Sequence, residues 1–128
     1  MNRPTRVPLF SLPSPVVSLG KVTLFKDTWD SHILVGHPEM AGKIDALQRT
    51  IINPTVVVVS QSTSQHYVFV NHDETVGSDS PLTAMVTISE AVVCTTFHNR
   101  SYRVVPASGR VIGPVNRRCA EWALSRRL

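Results

Sequence analysis

Apolar residues recur at helical spacing in the first third of the chain and at strand spacing in the middle. Trp29 and Ile33 lie four apart and share one face of a short helix over about residues 28–35. Asp27 suits its N-cap, and Asp30 adds negative charge to the first turn. Gly36 fits the left-handed position that closes a helix. Pro38 suits the first position of a second helix, where its missing donor costs nothing, and Glu39 favours the same end. Met40, Ile44, Leu47 and Ile51 make one face of that helix, and Asn53-Pro54 stops it. Gly42 weakens it by about 1 kcal/mol relative to alanine. Lys43, Asp45 and Arg49 fall largely off the apolar face and are expected in solvent.

From Thr55 the period changes. Thr55 to Ser60 is a β-branched run that reads as a buried strand. Gln65 to Val70 alternates, with His66, Val68 and Val70 on one face and Tyr67 and Phe69 on the other. Asn71 to Pro81 is a polar, acidic loop. Leu82 to Ile88 alternates again, and Ala91 to Phe97 is the last strong strand. The short links favour an antiparallel meander. Upstream, Val22 to Phe25 reads as a short strand after a break at Gly20. Downstream, Tyr102 to Val105 and Arg110 to Ile112 read as short strands. From Pro114 a helix is expected with Val115, Cys119, Trp122 and Ala123 inward. Pro4, Pro8, Pro13 and Pro15 mark residues 1–20 as a proline-rich tail, leaving 21–128 as a single domain. The expected fold is α+β: short N-terminal helices, a four-stranded antiparallel sheet and a C-terminal helix.

Composition fits a globular chain: 128 residues, 42% apolar and 17% charged. The net charge is +4, and it is uneven. After residue 79 only Glu90 and Glu121 are acidic, against Arg100, Arg103, Arg110, Arg117, Arg118, Arg126 and Arg127. A basic half suits a polyanion. Cys94 and Cys119 are too few and too far apart for a metal framework, and sit in apolar patterns as small hydrophobes, which favours a reducing compartment. No apolar run reaches the ~18 residues a membrane span needs. Pro8, Pro13 and Pro15 break a stretch that otherwise imitates a secretory signal.

The candidate chemistry centres on His32 and His37. On one continuous helix they would point about 140° apart; a bend at Gly36 would bring both rings to one mouth. Histidine both takes and gives protons near neutral pH, and RNA cleavage needs both jobs. A base takes the 2′-hydroxyl proton, an acid protonates the leaving 5′-oxygen, and a cation steadies the charge on phosphorus. The alternative is that His32 packs under the sheet and His37 merely caps the second helix. A second cluster, Thr95-Thr96-Phe97-His98-Asn99-Arg100 with Tyr102 and Arg103, is stocked to hold phosphate. His66 is a third candidate. No zinc-peptidase spacing, phosphate-cradling glycine loop or Gly-x-Ser-x-Gly elbow is present.

Thr28-Trp29-Asp30-Ser31-His32-Ile33, Gly36-His37-Pro38-Glu39, Ile51-Ile52-Asn53-Pro54 and Val93-Cys94-Thr95-Thr96-Phe97 stand in this order. Over about residues 22–105 this resembles the phage-associated nucleases of the barnase–EndoU–colicin–RelE (BECR) superfamily. The resemblance implies a metal-independent endoribonuclease, a toxin or phage effector, that cleaves tRNA or mRNA by acid–base transphosphorylation without a cofactor. It also implies a cytoplasmic site of action and a cognate antitoxin or immunity protein as a further partner. By position His32 and His37 match the family's helical polar residues, and Thr96 or Thr95 its last-strand hydroxyl. His98, Arg100 and Arg103 are chosen on chemistry, as phosphate and charge ligands. The family commonly has an arginine or lysine on the sheet, where this chain offers Gln65-His66-Tyr67. Either His66 replaces that cation, or a C-terminal arginine reaches in, or the domain is inactive. Two rival readings stand beside the nuclease. One is a catalytically inactive phage or host-interaction domain of the same fold. The other is a metal-dependent phosphoesterase using His32, His37 and His98.

Overall fold

The computed structural model describes residues 6–60, 63–76, 80–102 and 111–113. Its centre is the antiparallel meander that the alternating runs specify. The strands are β3 (Val56–Val59), β4 (His66–Val76), β5 (Ser80–Thr87) and β6 (Val93–His98). A short β7 (Val111–Gly113) joins β3, giving the order β6-β5-β4-β3-β7. Register fixes the faces. Leu82 pairs with His98, and Ala84 with Thr96, on one side; Thr83 pairs with Phe97, and Met85 with Thr95, on the other.

β4 and β5 are longer than the alternation alone suggests. Expected loop residues Asn71 to Val76 and Ser80 to Pro81 are strand. Polar side chains tie this extension down. The Asn71 amide donates to Thr50 Oγ1 (3.3 Å), and the Thr50 hydroxyl donates to the Ala46 carbonyl (2.9 Å). Arg49 also pairs with Glu74 at 2.7 Å. Polarity alone reads as loop, but here it is hydrogen-bonded structure.

The proline-rich segment is part of the fold rather than a tail. β1 (Pro8–Pro13) pairs antiparallel with β2 (Lys21–Phe25), and Phe10, Val16 and Leu19 enter the main core. Proline suits the ends of an edge strand, where no ladder donor is required. Arg6 closes this hairpin, lying 4.0 Å over the Phe25 ring and 3.1 Å from Asp27. β2 reaches the main sheet through a bridge from Thr23 to Val92.

The first helix extends beyond its expected bounds. α1 (Lys26–Thr28), a π turn (Trp29–Ile33) and α2 (Leu34–Gly36) form one helical run, with Trp29 and Ile33 buried. Gly36 closes nothing in the left-handed region; among the described residues, the glycines with positive φ are Gly20 and Gly42. The second expected helix therefore splits at Gly42 (φ +79°) into a 3-10 turn (Pro38–Met40) and α3 (Ile44–Ile52). Met40, Leu47 and Ile51 pack with Leu82, Ala84 and Val86 in one core. The expected C-terminal helix lies outside the described residues.

Candidate functional site

The site forms where the helical run ends and β6 runs out. Its first member is His37. Its backbone leaves the helix (φ −137°, ψ 71°) while its N–H still donates to the Ile33 carbonyl (2.6 Å). The ring stacks on Phe97, with centroids 4.5 Å apart and planes 9° from parallel. Because β6 is the outermost strand of the sheet on that side, its Phe97 can be reached from beyond the rim. His37 Nδ1 lies 3.4 Å from Glu39 Oε1, an ion pair when the ring is protonated, and the side chain stays 32% exposed.

The next residue on β6 supplies a second imidazole. His98 Nδ1 is 3.0 Å from the Ser80 carbonyl, which can only accept, so Nδ1 carries the proton. Nε2 then holds the lone pair and accepts from Lys43 Nζ at 3.0 Å. Partial burial, more than anything else, pushes the His98 pKa below its ordinary value. The Lys43 charge pushes the same way, while the Ser80 contact and the carboxylates Glu39 and Glu74 oppose. The result is an oriented, neutral imidazole. It opens on a groove of about 400 Å³ shared by Lys43, Asp45, Arg49, Asp73 and Glu74. Carboxylates and cations mix there, and Arg49 is engaged by Glu74.

The other expected residues divide. Thr95 is half-buried on the opposite face, paired with Met85. Thr96 is fully buried and donates its hydroxyl to the Thr83 carbonyl (2.6 Å), so it packs beneath the helices instead of meeting phosphate. His32 is exposed on the π turn, and no hydrogen bond, ion pair or ring contact joins it to His37 among the described residues. His37 and His98 thus occupy neighbouring positions at the end of β6, His37 through its stack on Phe97, while Phe97 and His98 project to opposite faces of the sheet. His66 shares its face with Val68 and Val70, across the sheet from His98. Arg100 is exposed in a 3-10 turn just after β6, and Arg103 lies outside the described residues.

Lys43 is the residue of this candidate site that the sequence pattern missed. Helical periodicity placed it in solvent, but the left-handed Gly42 restarts the helix there. Lys43 becomes the N-cap of α3 and is half-buried against His98. The sequence signal was a glycine directly before a lysine within an apparent helix. Among the described residues, no three His, Cys, Asp or Glu side chains gather closely enough to hold a metal ion. Cys94 is half-buried, and desolvation raises its thiol pKa, which disfavours the reactive thiolate. No described helix is long and apolar enough to cross a membrane. No family model, curated protein or solved structure matches the chain.

Proposed function

We propose that this domain is a metal-independent endoribonuclease of the BECR kind, with His98 as base, His37 as acid and Lys43 as the charge ligand. The observation that carries this reading is the set Ser80–His98–Lys43 beside the His37–Phe97 stack. A neutral imidazole, fixed in one tautomer by a carbonyl, is ready to take a proton at neutral pH. Substrate phosphate, being anionic, draws the Lys43 ammonium more strongly than a neutral ring does. Lys43 moves to the phosphate and frees the Nε2 lone pair. Nε2 then takes the 2′-hydroxyl proton as O2′ attacks phosphorus, and Lys43 steadies the added charge. Protonated His37, held by Glu39, gives its proton to the departing 5′-oxygen. The products are a 2′,3′-cyclic phosphate and a 5′-hydroxyl.

Asp73 and Glu74 line the hairpin side of the groove and repel a polyanion there. The RNA strand therefore approaches from the open end of β6, past His37 and the exposed Arg100. tRNA or mRNA in the cytoplasm is the target, and a toxin or phage-effector role brings a cognate antitoxin or immunity protein as partner. A non-cleaving interaction domain is the second reading. It is favoured by Lys43 capping the His98 lone pair, which would leave the ring inert if no ligand drew Lys43 away. Incubation of the purified protein with total RNA, with and without a chelator, separates the readings. Cleavage that the chelator leaves unchanged supports the nuclease. Intact RNA from mildly acidic to mildly basic pH supports the binding domain, and loss of cleavage on chelation supports metal chemistry.

A further inference from the structure

A single proton changes what the His98–Lys43 contact can bind. With the ring neutral, the pair satisfies itself. His98 Nδ1–H donates to the Ser80 carbonyl at 3.0 Å, and Nε2 accepts from Lys43 Nζ at 3.0 Å. Nε2 is the nitrogen left to protonate. Once it takes a proton, two cationic donors face each other across that contact. Lys43 must then withdraw, or a negatively charged acceptor must come between them.

The surroundings favour the acceptor. The pair opens on the groove of about 400 Å³, which has room for a tetrahedral oxyanion. The Ser80 contact uses Nδ1 and persists in both charge states, so the ring stays aimed at Lys43. The carboxylates nearby are the internal competitors. Glu74 is engaged by Arg49 at 2.7 Å, and Glu39 lies 3.4 Å from His37, which is itself cationic in acid. Asp45 and Asp73 are exposed and hydrated. With Glu74 they outnumber Lys43 and Arg49 in the groove, so a free anion is disfavoured while His98 is neutral. The added proton removes that imbalance. Burial and the Lys43 charge hold the His98 pKa below its ordinary value, so the change comes in mild acid.

We propose that Lys43 and His98 form a proton-gated site for a tetrahedral oxyanion of the phosphate class, closed while the ring is neutral and open once Nε2 is protonated. Lys43 Nζ and His98 Nε2–H then donate to two oxygens of one anion. The linkage is reciprocal: acid strengthens anion binding, and the bound anion keeps the proton on His98. In the nuclease proposed above, phosphate becomes an acid-side inhibitor, because a ring that keeps its proton cannot act as base. The site itself does not depend on RNA cleavage.

Sulfate is the probe, since its charge is constant from about pH 5 to about pH 8 and any pH dependence belongs to the protein. In an NMR titration of the natural chain, the His98 ring is assigned through its own backbone. Sulfate should raise its midpoint by about one pH unit beyond chloride at equal ionic strength, a linkage of about tenfold. Calorimetry should show sulfate bound about tenfold more tightly at about pH 5 than at about pH 7.5. His98→Gln and Lys43→Gln should each lose that gain. A His98 midpoint that sulfate leaves in place overturns the proposal and means that a groove carboxylate bridges the pair. An equal gain in His98→Gln also overturns it, assigning the effect to other histidines. The midpoint reading needs neither variant to fold and no RNA.

Discussion

His98 combines a donated Nδ1 proton, an accepted Lys43 contact and a depressed pKa, and these have a consequence for stability. The folded ring binds a proton less readily than the unfolded ring, whose ordinary value is 6.5. Its stabilising contribution is therefore present above that value and is lost as pH falls from it toward the lower folded value. Urea midpoints should drop between about pH 7.5 and about pH 5, and drop less in His98→Gln. An equal drop in both proteins would remove His98 from the effect. Thr96 gives a contrasting residue. Thr96→Val should cost about 1–2 kcal/mol, because the Thr83 carbonyl loses its hydroxyl donor, yet leave RNA cleavage unchanged. Loss of cleavage in the folded variant would return Thr96 to the site. The sequence singled out His37 beside the expected bend at Gly36, but not its stack on Phe97, which comes from a strand sixty residues away. It did not reveal Thr96's role, because alternation separates two faces without saying which one the helices cover.

Among the elements, the two glycines of the helical region exchange roles. Gly36, expected at a left-handed cap, ends α2 without a positive φ, whereas Gly42 has φ +79°. A Cβ at either position meets nothing within 4 Å, so backbone conformation decides the outcome. Gly36→Ala should be neutral or stabilise by up to about 1 kcal/mol, and Gly42→Ala should destabilise by about 1 kcal/mol or more. Thermal or urea unfolding of the pair checks the contrast; the reverse order would refute it. The apolar spacing of Met40, Ile44, Leu47 and Ile51 was correctly read as one buried side. The same spacing concealed the break, since a stripe persists across a turn when both pieces pack on one sheet. The β4–β5 extension was hidden for a different reason. Its polar residues are satisfied by Thr50, Arg49 and Thr55 from elsewhere in the chain, which local pattern does not record.

For the molecule as a whole, the four-strand meander was legible because four separated β-branched or alternating runs follow one another with polar links between them. The N-terminal hairpin was not, since prolines resemble a linker until a partner strand is found. Phe10 is buried in the main core, so Phe10→Ala should cost about 3 kcal/mol. A change below about 0.5 kcal/mol, the usual size of a surface effect, would show that the segment is dispensable. The helical run meets the tip of β6 through the stack of His37 on Phe97, and that meeting depends on tertiary packing that no single stretch encodes. The most direct measurement is the cleavage rate of a single-stranded oligoribonucleotide by the natural protein and by His98→Gln, with chelator present. The expected result is cleavage to a 2′,3′-cyclic phosphate that falls by about 100-fold or more in the variant, the usual size of a general-base contribution. Equal rates in the two folded proteins would contradict the assignment of His98 as the base.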